Sequence, residues 1–218
     1  MVSAPPDPIP FIRAHTAPAS PPACPEIRLW SGTEAIPLWE ASEVWAGRKG
    51  LPPPYWAFCW AGGQALTRWI LDHPEECAGK RVLDFAAGCG VTAIAAALRG
   101  AARVEAAEID PLAAAVIGLN AELNQVDVEV VCADLVGAPC RWDLVVAGDV
   151  CYEAAMTAHI WPWLKSLAAA GARVVMADPG RAYLPRLGLR ALADYSVETS
   201  LELEDRTRRE VTVYTLAG

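Results

Sequence analysis

RVLDFAAGCGVTAIAA, residues Arg81–Ala96, decides the fold. Arg81–Phe85 is a short apolar run that reads as a buried strand, with Asp84 near its end. Gly88 and Gly90 follow, giving backbone freedom and removing side chains where a ligand would approach. From Thr92 the residues TAIAAAL form helix readily. A glycine turn feeding a helix start presents free N–H groups and a partial positive charge.

Gly88–Ala93 also fits G-x-G-x-x-A, a dinucleotide fingerprint. Two acids pull away from that reading. Asp84 precedes the loop, and Glu108 ends the next strand-like run, where it would meet ribose hydroxyls. A loop flanked by carboxylates suits a ligand carrying an ammonium and a sulfonium better than one carrying a pyrophosphate. S-adenosylmethionine is therefore the expected ligand, with a nicotinamide dinucleotide and a plain strand–turn–helix as the alternatives.

Downstream, the pattern repeats. Arg103–Ile109 reads as a second strand, and Pro111 opens a helix over Leu112–Asn124. Val128–Cys132 is a third strand, followed by Asp134, which would accept from an adenine amino group or else cap a turn. Trp142–Val150 is apolar on both faces and so central. Ala154–Ala170 is helical, with Pro162 kinking or restarting it, and Arg173–Ala177 is a fifth strand ending before Asp178. Leu187–Tyr195 reads as a helix, and Ser196–Glu204 with Glu210–Leu216 as an antiparallel pair. The result is an α/β sheet, mostly parallel, with an antiparallel end. Asp84, Glu108, Asp134, Asp149 and Asp178 all fall at carboxyl ends of strands, where such sheets bind ligands.

Upstream, Met1–Pro25 is Pro- and Ala-rich and reads as extended and partly disordered. Ile27–Trp30 and Ile36–Glu40 flank Ser31-Gly32 and predict a short hairpin. The aromatic stretch Pro54–Gly63, PYWAFCWAGG, precedes a helix over Gln64–Asp72. It is either an apolar plug on the sheet or a lid, hinged at Gly62-Gly63, with Trp60 and Gly63 against the ligand. Residues 1–63 thus form an N-terminal extension and residues 64–218 the main domain.

The 218 residues carry a net charge of −8 with no basic stripe, which argues against nucleic acid as a partner. No apolar run is long enough for a membrane span, and residues 1–25 lack a signal core. Seven cysteines without C-x-x-C pairs point to a reducing cytoplasm and no zinc. His15, His73 and His159 lack ligand spacing, so each reads as a surface or packing residue and no metal is expected. Only three of the 18 basic residues are lysine, a bias that suggests a bacterium with a GC-rich genome.

VLDFAAGCG, EIDP, the ADL at Ala133–Leu135 and the late hairpin resemble the class I S-adenosylmethionine methyltransferases. Ala86 stands where that family has the first glycine of its loop. PPYWAFCWAGG at Pro53–Gly63 and DVCYE at Asp149–Glu153, with PEIRL and DPGR, resemble the electron transfer flavoprotein β-subunit lysine methyltransferases within that class. The resemblance implies a Rossmann-like, seven-stranded sheet and lysine N-methylation of that β subunit. It gives Asp84, Gly88 and Gly90 to the methionine part of the cofactor, Glu108 to the ribose, and Ile109 and Asp134 to the adenine. Trp60 and Gly63 would close the pocket, and Asp149 and Tyr152 would face the substrate lysine as catalytic residues. A small-molecule N-methyltransferase with a nicotinamide-like acceptor is the alternative, and a non-catalytic binding module is a third reading. The roles of Asp178 and Arg181 stay open between a turn and a substrate groove.

Overall fold

A computed structural model of the chain describes residues 6–216. The N-terminal part holds helix α1 (Pro8–His15), the short strands β1 (Ala17–Ala19) and β2 (Leu29–Ser31), and helix α2 (Ala35–Ala46). A 3-10 turn at Tyr55–Ala57 leads into α3 (Ala61–Asp72), and a second at Pro74–Glu76 follows it. Then come β3 (Arg81–Phe85), α4 (Val91–Leu98), β4 (Arg103–Glu108), α5 (Pro111–Leu123), β5 (Glu129–Cys132) and β6 (Leu144–Gly148). The last elements are α6 (Ala154–Ala169), β7 (Arg173–Asp178), β8 (Leu189–Glu198), the single turn α7 (Leu201–Glu204) and β9 (Arg208–Leu216).

Seven strands form one sheet in the order β5-β4-β3-β6-β7-β9-β8. The first five of these run parallel, and β9 and then β8 add antiparallel. This is the Rossmann-like, mostly parallel sheet with an antiparallel end that the sequence implied. β3 lies between β4 and β6, so both its edges are paired, and helices cover both its faces. Val82 joins Leu66, Ile70 and Ile94 of α3 and α4 on one face. Leu83 and Phe85 join Ile160, Trp163 and Leu164 of α6 on the other. A third cluster packs Phe11, Ile12, Leu38, Trp56 and Phe58 of the N-terminal segment on Leu112, Val116 and Leu119 of α5. No helix of the described residues is long and apolar enough to cross a membrane.

Four local expectations are corrected. Within Met1–Pro25, residues 1–5 lie outside the described residues, but Pro8–His15 is helical. Asp7 caps it by accepting the Ile9 N–H at 3.0 Å, and proline suits the first turn. The hairpin at Ser31-Gly32 is absent, because β2 pairs instead with β1. Residues 35–46 are helical, since Pro37 falls in the first turn and Leu38, Ala41, Ser42 and Trp45 recur at helical spacing toward the core. Gly62 and Gly63 are not a hinge but the first turn of α3. Leu187–Tyr195 is not a helix: Leu189–Glu198 pairs along its length with β9, and this tertiary pairing overrides the helical propensity of Leu and Ala. α6 runs through Pro162 as one helix.

Candidate active site

The carboxyl ends of the parallel strands open into a cavity of about 660 Å³. The wall holds Gly88, Glu108, Ile109, Asp134, Asp149 and Tyr152, with Trp60 and Tyr55 closing it from the N-terminal segment. Of the ten residues picked from the sequence, Asp84, Gly90 and Gly63 stand behind this wall.

Asp84 is buried and accepts the Ala93 N–H at 2.8 Å, so it caps α4 from the neighbouring strand. Burial, with the nearby Glu108 charge, raises its carboxyl to about 7, against the pull of that N–H. A carboxyl with a higher pKa folded than unfolded holds an extra proton in the folded state, so stability falls as pH rises from about 4 to 7. Asp84→Asn keeps an acceptor for Ala93 and removes the titration. Its urea midpoint is expected to fall less over that window than that of the native chain; equal slopes would show that Asp84 titrates at its ordinary value. Gly90 has φ +76° and heads α4, and a Cβ there would lie 3.0 Å from Ile117 Cγ2. It thus allows α4 to start close against α5.

Glu108 joins the loop to the end of β4. Its Oε1 accepts the Gly88 N–H at 2.8 Å and its Oε2 the Ile109 N–H at 3.0 Å. Burial pushes its carboxyl up while these N–H groups hold it down. Each oxygen keeps a lone pair for a further donor from the cavity. Ile109 leaves most of its side chain open to the cavity mouth. Asp134 accepts the Val136 N–H at 2.9 Å and pairs with His159 Nε2 at 2.9 Å. The turn reading of Asp134 therefore holds, alongside a place on the cavity wall. His159, read from the sequence as a bystander, lines the cavity too. No local pattern shows this, because the partners are 25 residues apart.

Ala86 sits at φ +54°, the left-handed conformation that glycine adopts without strain. Ala86→Gly is expected to raise stability by about 1 kcal/mol. An unchanged or lowered urea midpoint would show that the methyl contributes more by packing than it loses in strain.

The aromatic stretch forms a wall. Trp60 Nε1 donates to the Tyr55 carbonyl at 3.0 Å, and its ring meets Tyr55 edge-on at 5.7 Å. The Tyr55 ring lies 5.5 Å from that of Tyr152, which follows β6. Tyr152 titrates at about 12, raised chiefly by burial.

Asp149 follows β6 at φ +58°, with both oxygens engaged. Oδ2 accepts the Gly63 N–H at 3.1 Å, and Oδ1 accepts from Arg181 Nε at 2.9 Å and Nη2 at 2.6 Å. The Gly63 N–H thus serves Asp149, and Gly63 is not among the residues that line the cavity. An amine entering the cavity would therefore meet in Asp149 a carboxylate already paired with a guanidinium. Burial lifts its carboxyl to about 6 despite the guanidinium. Asp178 Oδ1 accepts the N–H groups of Gly180 and Arg181 at 2.7 and 2.6 Å, making the turn that delivers Arg181 to Asp149.

The basic side chains on the wall are Arg181 and His159, and each is paired with a carboxylate. Glu108, Asp110, Asp134, Asp149 and Glu153 supply acids. This donor set fits S-adenosylmethionine, with hydroxyls toward Glu108 and a sulfonium among carboxylates and aromatic rings. A pyrophosphate would meet carboxylates where it needs unpaired donors.

Residues 65–180 match the family model described as ribosomal protein L11 methyltransferase (PrmA). The electron transfer flavoprotein beta subunit lysine methyltransferase of Xenopus laevis is 40% identical over 159 residues, covering 70% of this chain and 65% of that protein. Its namesake in Danio rerio is 39% identical over 150 residues, covering 66% and 58%. The matched part thus spans less than two thirds of either relative. Among solved structures, ribosomal protein L11 methylase from Lactobacillus delbrueckii subsp. bulgaricus aligns with a TM-score of 0.51 at 19% identity, over 73% of this chain and 81% of that one. Magnesium protoporphyrin IX methyltransferase from Synechocystis PCC 6803 aligns with a TM-score of 0.51 at 16% identity, over 70% and 80%. Both share the fold of the seven-stranded sheet. With more than half of its length matched, this chain belongs to the family described as ribosomal protein L11 methyltransferase (PrmA).

Proposed function

We propose that the chain is an S-adenosylmethionine-dependent protein-lysine N-methyltransferase acting on the electron transfer flavoprotein β subunit. The observation that carries this reading is the joining, in one cavity, of the acid-lined strand ends with the aromatic mouth of Tyr55, Trp60 and Tyr152. The two vertebrate relatives, by their names, point to the substrate. Glu108 would bind the ribose, Ile109 and Asp134 the adenine, and Gly88 and Trp60 the methionine side. Asp84, Gly90 and Gly63 would act by fixing α4 and Asp149.

When bound, the cofactor supplies a methyl on a positive sulfur, which leaves as a neutral thioether as the C–S bond breaks and the N–C bond forms. The chain's task is to bring a neutral amine in line. Lysine has a pKa of about 10.4, so neutralising it near pH 7 costs on the order of 4–5 kcal/mol. Desolvation between Tyr55 and Tyr152 lowers that cost, and in-line positioning lowers the barrier further. The methylated amine gives its surplus proton to water. We place the chain in a reducing cytoplasm, consistent with its free thiols, and in a bacterium, on its arginine-rich composition.

Incubation of purified chain, S-adenosylmethionine and the flavoprotein, followed by peptide mass spectrometry, tests the reading. A methyl-sized increment on a β-subunit lysine is expected. Methyl transfer to nicotinamide with none to protein would overturn it.

A further inference from the structure

The charges around Asp149 form a chain of ion pairs, buried at Asp149 and Glu204 and reaching the surface at Asp205, that methyl transfer alone does not require. Arg181 Nη2 lies 2.6 Å from Asp149 Oδ1 and 2.9 Å from Glu204 Oε1. Glu204 Oε2 in turn takes Arg209 Nε at 3.2 Å, and Arg209 reaches Asp205 at 2.8 Å. Asp149 and Glu204 are buried, and Arg181 lies on the cavity wall. Asp178 from β7 and the Cys151 thiol also bear on this cluster, and Tyr55 and Tyr152 face it from the mouth.

Resting on the proposed lysine methylation, a difficulty arises that this geometry resolves. A lone carboxylate beside the acceptor would draw in the amine but hold it as ammonium, which has no lone pair to attack with. We propose that Arg181 is a positioning residue for methyl transfer: its guanidinium occupies Asp149, so the arriving amine is oriented by a carboxylate already neutralised and is released to its uncharged form. Glu204 sets the strength of this effect from behind, by sharing the guanidinium. Arg181 acts through Asp149 and needs no contact with the reacting atoms.

Removing Arg181 and removing the charge of its second partner, Glu204, are expected to act in opposite directions, which a purely structural role would not produce. The test is kcat and KM against pH, with the flavoprotein β subunit as acceptor. In Arg181→Met the acid limb of kcat is expected to move up by about one pH unit or more, with acceptor KM unchanged or lower. At neutral pH that is roughly a tenfold loss in kcat. Arg181→Lys keeps a cation and is expected to stay near the native limb. Glu204→Gln frees the guanidinium for Asp149 and is expected to move the limb down. A loss in Arg181→Met that is the same factor at every pH, or shifts of one sign in Arg181→Met and Glu204→Gln, would overturn the inference. If Arg181→Met fails to give a cooperative melt, Glu204→Gln decides alone, and an unmoved limb overturns it. A native chain that methylates no lysine overturns the functional reading as well, whereas a native chain that does so with unshifted variants sinks only this inference.

Discussion

Gly62→Ala is expected to cost about 3 kcal/mol of stability and most of the methyl-transfer activity. A Cβ at Gly62 would fall 2.5 Å from Asp149 Oδ2 and 2.7 Å from the Ala177 carbonyl oxygen. Neither neighbour can yield cheaply. Ala177 O belongs to the backbone of β7 and accepts the Asp149 N–H at 3.0 Å. The Asp149 carboxylate is fixed from two sides, by Gly63 and Arg181. The start of α3 would have to lift off the sheet, taking Trp60 with it. Gly63→Ala is the control, because there the nearest atom is Val91 Cγ1 at 3.8 Å. It is expected to leave stability within about 1 kcal/mol of native, since alanine favours helix. Urea unfolding reads both. Equal losses in the two variants would show that close approach at Gly62 is not what fixes the helix. A Gly63 variant that keeps its stability but loses cofactor affinity would return that residue to the cofactor site.

Glu108→Gln is expected to weaken S-adenosylmethionine binding by about 10²–10³-fold. The substitution preserves shape but changes chemistry. Glu108 accepts two backbone N–H groups, from Gly88 and Ile109, and a glutamine amide nitrogen cannot accept either. One N–H is left without its partner, and ribose hydroxyls lose a charged acceptor. Hydrogen bonds to charged groups contribute about 1.5–3 kcal/mol each. Because burial holds the Glu108 carboxyl above its usual value, cofactor affinity is also expected to fall as pH drops through that raised pKa, and less so in the variant. Titration calorimetry at two pH values measures both effects. An unchanged dissociation constant would remove Glu108 from the cofactor site.

The central sheet was legible because its signals are local. Apolar runs such as Val82–Phe85 and Leu144–Gly148 are punctuated by glycine and proline, and the acids sit where the runs end. Leu187–Tyr195 reads as helix for the opposite reason: leucine and alanine favour helix locally, and only the long pairing of Leu189–Glu198 with β9 makes this segment a strand. The cavity-lining acids could be picked out by their positions after strands. Their partners could not, since Arg181 is 32 residues from Asp149 and meets it only because β6 and β7 are neighbours. The same holds for His159 against Asp134. A glycine pair reads identically whether it bends freely or packs tightly, and only the atoms facing Gly62, Asp149 Oδ2 and the Ala177 carbonyl oxygen, distinguish the two.

The buried Asn120 side chain joins segments that lie far apart in the chain. Its Oδ1 accepts the Trp30 N–H at 2.7 Å, and its Nδ2 donates to the Cys89 carbonyl at 2.8 Å. One amide group therefore contacts both β2 of the N-terminal segment and the glycine loop. Detaching the N-terminal segment takes away one of the two bonds that fix this amide and so weakens its hold on the loop. The backbone amides of β2 and of the loop should accordingly exchange with deuterium as a single cooperative unit, so that the N-terminal segment sets how often the cofactor's cradle comes apart.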